Sequence, residues 1–408
     1  MKDGWEIKKL KDLAVVINGG TPDTKISEYW DGGVLWITPK DMGQLTSKYV
    51  SATSRTISEI GLEKSSAKLI PNNSLILSTR APIGYLAINT CAISTNQGCK
   101  GIVPSENLSS EYLYYFFSKS VKMLIDLGNG TTFKELSTSS LKNIDIPLPP
   151  LSEQKEIVAL LDDVLSRIDK ARENIKKNIE NADELYQRTV IDLFSNTSED
   201  WETKKLKEVC SIISDGTHHT PKYFDSGYIF LSSRNVTSGV IDWKDVKYID
   251  ETQHISMQKR VSPRIGDILL AKNGTTGVAA LVDRDVDFDI YVSLALLRPL
   301  DFIDPTYLLY VINSPFAKRQ FNARLKGMGV PNLHLEEIRK VTIQYPKSKE
   351  KQREIVEKIS ALLQIRNNLK DNYTKKLQAL DELRNSVLEK AFRGELTGNS
   401  TAQSVAAK

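Results

Sequence analysis

The sequence is poor in cysteine and has no long apolar run. Its 408 residues include three cysteines, Cys91, Cys99 and Cys210, and none of them forms a CxxC pair. Such an odd and widely spaced set indicates reduced intracellular thiols, not disulfides or a zinc site. No apolar stretch approaches the roughly 18 residues of a membrane span, and no basic-then-apolar leader follows Met1. We therefore expect no membrane association and no secretory signal.

Motifs that carry catalysis or hold metals are also lacking. Neither GxGxxG nor GxxxxGK[ST] occurs, which disfavours a nucleotide or methyl-donor site on this chain. The four histidines have no HExxH spacing, and the alternating aspartates from Asp283 to Asp289 depart from a calcium loop at Phe288 and Leu294. Pro22-Asp23-Thr24-Lys25 lacks the second acid of a nuclease site. We predict no metal site and no catalysis by this chain alone.

A strong excess of either charge is missing as well. The net charge is +4, and Lys and Arg exceed Asp and Glu by only two in residues 1–151 (16 against 14) and in 196–349 (21 against 19). Residues 152–195 are net acidic, with 7 basic and 10 acidic side chains. Proteins that bind DNA by charge alone carry a larger basic excess. Composition therefore does not predict nucleic-acid binding.

What the sequence does contain is a pair of long heptad-like segments. Apolar or small residues recur at steps of four and three through both, which is typical of a coiled-coil seam. The predicted seam of the first is Ile157, Leu161, Val164, Ile168, Ala171, Ile175, Asn178, Ala182 and Leu185. The second has Ile355, Ile359, Leu362, Leu369, Tyr373, Leu380, Leu383 and Val387, interrupted by Arg366 and Lys376. We predict two long antiparallel helices; Asn178 either pins their register or lies exposed.

The two segments belong to an internal repeat. Gln154-Lys155-Glu156-Ile157-Val158 returns as Gln352-Arg353-Glu354-Ile355-Val356. Likewise, Trp5-Glu6-Ile7-Lys8-Lys9-Leu10 returns as Trp201-Glu202-Thr203-Lys204-Lys205-Leu206, and Gly20-Thr21 returns as Gly216-Thr217. The offset wanders between about 193 and 198 residues, as insertions in loops would make it. The chain is therefore two tandem copies of one unit, each a globular domain followed by a long helix.

The texture of each globular part predicts an α+β fold with a β-rich core. Predicted strands are 34–37, 75–77, 85–88, 101–103 and 144–147, then 228–231, 268–271, 277–282, 290–292 and 341–343. One helix is predicted in each part, at 111–122 and 305–318, and Ser152 is the predicted N-cap of the first long helix. The predicted organisation is a first domain 1–150, a spacer helix 151–196, a second domain 197–346, a spacer helix 347–396 and a disordered tail 397–408. The two copies imply a pseudo-twofold repeat.

At this point the residues resemble a known family, the specificity subunits of type I restriction-modification systems. The likeness covers nearly the whole chain. It is carried by Trp5 with Leu10, Gly20-Thr21-Pro22, Tyr29-Trp30, Ser78-Thr79-Arg80-Ala81, Ile83-Gly84, Thr95-Asn96-Gln97-Gly98, Pro147-Leu148-Pro149-Pro150-Leu151 with Glu153-Gln154, Leu383-Arg384-Asn385-Ser386-Val387-Leu388, Lys390-Ala391-Phe392 and Gly394-Glu395-Leu396. The second copy departs from this pattern at Lys272-Asn273-Gly274 and Tyr291-Val292-Ser293, which indicates a different recognition subtype.

The resemblance implies a non-catalytic DNA-recognition subunit. Its two target-recognition domains would read the halves of an asymmetric, interrupted sequence in double-stranded DNA, with the helices fixing the gap. The helices would also dock two methyltransferase subunits, which methylate adenine N6 with S-adenosylmethionine, and restriction subunits driven by ATP and magnesium would join. No cofactor is expected on this chain, and the protein would be cytoplasmic in a prokaryote.

Polar loop residues are the candidates for DNA contact. Arg can pair with guanine and Asn or Gln with adenine through two hydrogen bonds, whereas Lys and Thr more often hold phosphates. The candidates are Thr21, Lys25, Lys40, Thr79, Arg80, Asn96 and Gln97 in the first copy, and Thr217, His218, His219, Lys222, Arg234, Lys272, Asn273 and Lys326 in the second. For each of them the alternative is a solvated loop residue, and for Asn96-Gln97 a turn that satisfies backbone groups.

The helix-pair and partner interface is predicted from the seams. Its members are Ile157, Leu161, Val164, Ile168, Ile175, Leu185, Ile355, Ile359, Leu362, Leu369, Leu380, Leu383 and Val387. Two other functions stay open at this stage. One is a structural coiled-coil adaptor that holds two protein-binding domains apart, and the other is an enzyme acting alone. A modification-only or silent system within the same family is a further alternative.

Overall fold

The computed structural model describes residues 2–130, 134–195, 199–325 and 332–397. The chain divides into two compact units, one made of Met1–Ile175 with Lys375–Lys408 and the other of Lys176–Thr374. Two long helices contribute to both units, α7 at Leu151–Phe194 and α13 at Lys349–Arg393. The predicted Lys326 and all but Thr397 of the predicted tail lie outside the described residues.

The first unit is built on strands β1 to β10 and short helices α1 to α6. The strands are β1 Glu6–Lys9, β2 Ala14–Asn18, β3 Trp30–Ile37, β4 Tyr49–Val50, β5 Arg55–Ile57, β6 Leu75–Thr79, β7 Ile83–Asn89, β8 Ser94–Thr95, β9 Cys99–Pro104 and β10 Asp145–Leu148. The helices are α1 Leu10–Leu13, α2 Pro39–Met42, α3 Glu59–Glu63, α4 Ser110–Lys119, α5 Val121–Asp126 and α6 Thr138–Lys142, with a 3₁₀ turn at Ser27–Tyr29.

The second unit repeats this plan with strands β11 to β19 and helices α8 to α12. Its strands are β11 Trp201–Lys205, β12 Cys210–Asp215, β13 Tyr228–Leu231, β14 Lys247–Ile249, β15 Ile268–Ala271, β16 Ala279–Leu281, β17 Phe288–Ile290, β18 Leu294–Pro299 and β19 Thr342–Pro346. Its helices are α8 Leu206–Val209, α9 Glu251–Gln258, α10 Pro305–Asn313, α11 Pro315–Asn322 and α12 Leu335–Lys340, with a 3₁₀ turn at Ser233–Val236.

Sheet topology is the same in both units, except that the large sheet of the first unit has one further strand, β4. The large sheet has the strand order β2-β9-β6-β7-β4 in the first unit and β12-β18-β15-β16 in the second. A three-stranded sheet follows the same rule, with order β5-β3-β8 and β14-β13-β17, and its parallel pair is β3 with β8 or β13 with β17. A third, two-stranded sheet pairs β1 with β10 and β11 with β19. The predicted two-copy α+β fold is confirmed.

Alternation along the central strand places a core on each face of the large sheet. In β6, Leu75 and Leu77 pack with the aromatic side chains of α4, whereas Ile76 packs on the opposite face with Ile37 of β3. In β15, Ile268 and Leu270 face the core that contains α10, while Leu269 and Ala271 face the three-stranded sheet. Successive strand residues point to opposite faces, so both faces of this strand are buried. Each large sheet is therefore a middle layer.

Several predicted element bounds are wrong. The predicted helix 305–318 breaks at Ser314, which is extended because Pro315 follows it, and the Ser314 hydroxyl instead caps α11 by accepting from the Ala317 N–H. The predicted helix 111–122 breaks at Ser120 between α4 and α5. Strand β16 keeps only Ala279–Leu281 of the predicted 277–282, and β17 ends at Ile290.

The predicted N-cap of the first long helix is also wrong. Helix α7 begins at Leu151, so Ser152 is a helical residue, and the Pro150 carbonyl accepts from the N–H of Gln154 at 3.0 Å. A proline immediately before a helix fixes the direction of entry without needing a side-chain cap.

The two long helices run antiparallel to each other within each unit. In the first unit Asp169 accepts from Arg384 at 3.2 Å, and Arg172 is paired with Asp381. In the second unit the Asp183 carboxylate accepts from Arg366 at 2.6 Å and from Lys370 at 3.0 Å. Since the residue number rises on one helix as it falls on the other, the predicted antiparallel arrangement is confirmed.

The predicted seam agrees with the observed burial at most of its positions and is displaced by one residue at Leu185, Leu369 and Leu383. Leu161, Ile168, Ile359 and Val387 face the cores as predicted, and Val164 is partly buried. Leu185, Leu369 and Leu383 are instead 67%, 40% and 47% exposed, and Asn178 is exposed too, so it does not pin the register. Their C-terminal neighbours Tyr186, Lys370 and Arg384 turn towards the partner helix, because residues three and four apart flank the same stripe.

Candidate nucleic-acid interface

Polar loops gather at one edge of the large sheet in the first unit. Strands β2 and β6 both pair antiparallel with β9, so their C-terminal ends, Asn18 and Thr79, lie at the same edge. The loop after β8 joins them there, because the Gly20 N–H donates to the Thr95 carbonyl at 2.8 Å and the Thr79 N–H to the Gly98 carbonyl at 2.8 Å. Most of the predicted contact residues of this unit follow these strand ends.

Some of the predicted residues are brought into contact at this edge. The hydroxyl of Thr21 contacts the side chain of Gln97, and both side chains belong to loops. The side-chain oxygen Oδ1 of Asn96 accepts a hydrogen bond from the Gly98 N–H at 3.0 Å. This is the turn-forming alternative named above. Arg80 is 3.8 Å from the Glu135 carboxylate, with its side chain 40% exposed. Gln97 and Arg80 can therefore reach a ligand at this edge, whereas the Asn96 oxygen is engaged.

The other candidates of the first unit separate clearly by exposure. Lys25 and Lys40 are exposed and stay candidates. Thr79 is fully buried, and its hydroxyl donates to the Gly98 carbonyl at 3.4 Å, so burial disfavours a contact between its side chain and DNA. Its position in β6 explains the burial, because the side chain points into the sheet layer while that of Arg80 points out.

A buried lysine at this edge was not predicted. Lys100 in β9 is 6% exposed, and its ammonium donates to the Asn18 side-chain oxygen at 3.0 Å. The Thr138 hydroxyl donates to the same oxygen at 2.7 Å. Burial lowers the pKa of Lys100, because the charged ammonium is poorly solvated there. The lysine lies in the strand texture Gly-Ile-Val, which gave no sign of a buried charge.

The second unit has the equivalent edge with different residues. The Leu136 N–H donates to the Thr79 carbonyl in the first unit, and the Leu333 N–H donates to the Lys272 carbonyl in the second, both at 2.9 Å. Lys272 therefore stands where Thr79 stands, at the point where the second copy departs from the pattern of the first. Asp215 ends β12 as Asn18 ends β2.

Asp215 is the centre of a charged cluster at this edge. Its buried carboxylate accepts from the Lys272 ammonium at 2.5 Å and from the guanidinium of Arg260, and His218 Nε2 lies 3.3 Å from it. Burial opposes ionisation, but the hydrogen bonds from Lys272 and Arg260 outweigh it and lower the pKa of Asp215. The carboxylate is therefore ionised at neutral pH. Among its partners, His218 and Lys272 were predicted from the sequence as candidates for DNA contact. Neither Asp215 nor Arg260 was predicted.

Burial bears on one of the two predicted candidates. The side chain of Lys272 is 7% exposed and bound to Asp215, so burial disfavours a direct contact between Lys272 and DNA. His218 stays a candidate, with its side chain 58% exposed. Thr217 accepts from the His219 N–H at 3.2 Å and so shapes the loop that carries both histidines.

The remaining candidates of the second unit lie towards solvent. Lys222 is exposed, with its ammonium 5.3 Å from the centre of the Phe224 ring. Arg234 is 3.4 Å from the Asp245 carboxylate, and its side chain is 49% exposed. Asn273 is partly buried and pairs with Asn332 in an isolated antiparallel bridge. None of these positions conflicts with DNA contact, which stays a prediction for each.

Two further searches cover only the part of the chain that the structure describes. There, no group of three or more His, Cys, Asp or Glu side chains is arranged to hold a metal ion. No helix within the described ranges is both long enough and apolar enough to cross a membrane.

Comparisons with known proteins define the class. The family model described as "Type I restriction modification DNA specificity domain" matches residues 2–181 and again residues 198–379. Two solved structures share the fold: one described as "Structural basis underlying complex assembly and conformational transition of the type I R-M system" (TM-score 0.78, 21% identity, 97% of this chain and 99% of that one) and the HsdS subunit from Thermoanaerobacter tengcongensis (TM-score 0.62, 20% identity, 97% and 98%).

Curated relatives agree with that class. The type I restriction enzyme MjaIX specificity subunit of Methanocaldococcus jannaschii is 30% identical over 96% of this chain and 93% of its own length. The EcoKI specificity subunit of Escherichia coli is 24% identical over 84% and 78%. The chain belongs to the type I restriction-modification DNA specificity family, of which it carries two copies of the domain. The family that the sequence resembled, and the role of specificity subunit that it implied, are confirmed.

Proposed function

We propose that this chain reads a two-part, asymmetric sequence in double-stranded DNA, one part with each unit. The observation that carries the proposal is the repeated sheet scaffold with two different polar edges. The first edge presents Gln97 and Arg80 and has the uncharged Asn18 at the end of β2, whereas the second presents His218 and Arg260 beside an ionised Asp215. The two units share one scaffold but present different polar side chains, and a DNA sequence is specified by side chains that contact the edges of the bases in a groove. Two such units therefore fit two different half-sites.

The long helices are proposed to fix the gap between the half-sites and to dock two methyltransferase subunits. Residues of α7 and of α13 belong to both units, so the two helices link the recognition domains. Leu185, Ile365, Leu369 and Leu383 expose 67%, 57%, 40% and 47% of their surface on these helices. Apolar side chains of this size at a helix surface suit a partner helix or groove. The three leucines predicted as seam residues thus stay in the partner interface.

The chemistry belongs to the partners in this proposal. Methyltransferase subunits with S-adenosylmethionine would methylate adenine N6 after flipping the base out of the duplex. Restriction subunits with ATP and magnesium would cleave unmodified DNA. This chain, in the cytoplasm of a prokaryote, supplies specificity and binds no cofactor itself.

Single-molecule sequencing of genomic DNA for N6-methyladenine tests the proposal. We expect one interrupted motif to be methylated in the parent strain and unmodified in a strain that lacks only this gene. Exchange of residues 1–150, or of 200–346, with those of a relative should then change one half of the motif and leave the other half intact. A methylome without change would favour the silent system or the structural adaptor, and binding of purified complex to random duplexes would separate these two.

Docking has its own test at Leu369. Leu369→Asp places a charge on the exposed apolar side of α13, and Asn368→Asp places the same charge on the next, also exposed, position. Co-purification with the methyltransferase encoded beside this gene should be lost for the first variant and kept for the second. Equal recovery of both complexes would remove Leu369 from the interface.

A further inference from the structure

We propose that Arg260, held by Asp215, reads a guanine in the half-site of the second unit. This inference rests on the proposed function and deepens it, because it names a base and the side chain that contacts it. Arg260 follows helix α9, which places it outside every loop that the sequence singled out. Three separate elements bring the arginine, Asp215 and His218 together at the recognition edge.

One side of the Arg260 guanidinium is fixed by hydrogen bonds. Its Nε donates to the backbone carbonyl of Asp215 at 3.0 Å, and its Nη2 donates to the carboxylate of the same residue. These two donors form one side of the planar fork. The other side, made of Nη1 and the remaining Nη2 proton, has no hydrogen-bond partner among the described residues except His218 Nε2, 3.2 Å from Nη2. His218 Nε2 also lies 3.3 Å from the Asp215 carboxylate, and in the tautomer that donates to this carboxylate it accepts nothing from Nη2. The side made of Nη1 and Nη2 then matches the paired acceptors O6 and N7 of guanine.

The support beneath the arginine is rigid and neutralised. The Asp215 side chain is 4% exposed, and Lys272, with 7% exposed, donates to its second oxygen at 2.5 Å. Gly216 closes the strand end, since a Cβ there would come within 1.7 Å of the Ile290 carbonyl oxygen. Lys272 balances the charge of Asp215, which leaves the charge of Arg260 uncompensated. Its side chain is 47% exposed, so the charge faces the edge where DNA is expected.

The arrangement favours a base over a phosphate. Reading a base edge needs two donors held in one plane, and the carbonyl and carboxylate of Asp215 hold the guanidinium of Arg260 in this way. Holding the fork in advance also removes most of the rotamer entropy that a free arginine loses on binding. A phosphate contact depends less on such preparation, because the point charge of a flexible lysine can also hold a phosphate.

Binding measurements on the assembled complex test the assignment. The probe is a duplex with the motif found by methylation sequencing, together with duplexes that change each base pair of the second half-site singly. For Arg260→Ala we expect affinity for the unchanged duplex to fall about 5- to 150-fold, the worth of one bidentate contact. Discrimination should vanish at one G·C pair and persist at every other position. Arg260→Lys should also lose that discrimination, because it keeps the charge but not the fork.

Arg319→Ala is the matched control. It removes the same charge from an exposed position on α11 of the same unit, where the side chain donates, among the described residues, to the Pro315 carbonyl of its own turn alone. If Arg260→Ala keeps its specificity, the assignment of Arg260 to a guanine is overturned, but the proposed function is not. Uniform weakening at all positions, with the slope of log affinity against log salt reduced by about 0.9, would also overturn it and identify a phosphate contact. A wild-type complex without any sequence preference would remove the proposed function itself.

Discussion

The two units hold their long helices by the same hydrogen bonds, but they differ at the sheet edge proposed to contact DNA. This recognition edge lies at the ends of β2 and β6 in the first unit and of β12 and β15 in the second. Gln154 in the first unit is fully buried, donates to the carbonyls of Asn107 and Pro149 at 2.9 Å, and accepts from the Ser109 N–H at 2.9 Å. Gln352 repeats this pattern with Phe302, Pro346 and Asp304 at 3.0, 2.9 and 2.7 Å. The repeated sequence motif at the start of each helix is therefore a repeated hydrogen-bond clamp.

Two tyrosines at equivalent positions also make the same hydrogen bond in both units. The Tyr112 hydroxyl donates to the Pro147 carbonyl at 2.7 Å, and the Tyr307 hydroxyl donates to the Gln344 carbonyl at 2.8 Å. Burial raises the pKa of both phenols, so each stays a hydrogen-bond donor at any ordinary pH. The clamps thus tie each sheet layer to the strand that leads into its long helix.

The two recognition edges pair a buried lysine with different kinds of side chain. Both place a buried lysine against the residue that ends the first strand of the large sheet, but the lysine comes from β9 in one unit and follows β15 in the other. Lys100 meets a neutral amide, whereas Lys272 meets a carboxylate that also holds Arg260 and His218. An edge that can change its charge pattern without change in the clamps can vary its target while the helices stay the same.

The largest expected effect breaks the charged edge. Lys272→Met leaves the buried Asp215 carboxylate without its one buried cation among the described residues, and loss of one partner from a buried pair costs several kcal/mol. Arg260 and His218 retain part of the compensation, so we expect about 3 kcal/mol of destabilisation in the second unit. Urea unfolding followed by unit-resolved hydrogen exchange measures it.

A double variant is the control for this prediction. Asp215→Asn together with Lys272→Met removes both charges and should recover most of the lost stability. Equal destabilisation of the single and double variants would contradict the ion-pair explanation and point to packing around the lysine stem.

The clamps should respond alike in both units. Gln154→Ala and Gln352→Ala each leave one N–H and two carbonyls without their side-chain partner, and buried groups of this kind cost about 1–3 kcal/mol when unsatisfied. We expect about 2 kcal/mol for each variant, confined to the unit that carries it. Hydrogen exchange at the starts of α4 and α10 reports the loss. A large effect in one unit and none in the other would show that the repeated motif is not a repeated clamp.

The sequence predicted the parts of the fold that repeat. Gln154 and Gln352, or Tyr112 and Tyr307, recur because the same hydrogen bonds are needed twice, and the strands 75–77 and 268–271 recur because both are middle strands buried on both faces. Heptad spacing predicted the helices and most of their seam. It could not choose between residues three and four apart, and Arg384 and Lys370 occupy seam positions only because Asp169 and Asp183 lie opposite them.

Recognition residues were harder to predict because their partners are distant in the chain. Lys272 looked like a loop cation, and only the fold reveals Asp215, 57 residues earlier, as its buried partner. Arg260 had no local signal at all, since it becomes significant through Asp215, 45 residues away. Residues exposed for their own local reasons, such as Lys25 and Lys40, were predicted correctly as exposed, but exposure alone assigns them no contact.

The smallest expected effect concerns the neutral edge. Lys100→Met keeps the buried stem and removes an ammonium whose pKa burial lowers from its ordinary value of 10.5. The unfolded chain then binds more protons than the folded one, so the lysine costs stability at pH 7 and ceases to do so as the pH rises above its unfolded pKa. We expect the variant to match or exceed wild type by less than about 1 kcal/mol at pH 7, because Thr138 still donates to Asn18.

The difference in unfolding free energy between wild type and Lys100→Met should therefore shrink as the buffer moves from pH 7 to about pH 10. Lys122→Met, at an exposed position of the same unit, controls for the loss of one charge. A difference that stays constant with pH would mean that Lys100 is as well solvated in the folded protein as in the unfolded chain. The contrast with Lys272 would then rest on the carboxylate of Asp215 alone, because a buried lysine without an acid would carry no penalty at this edge.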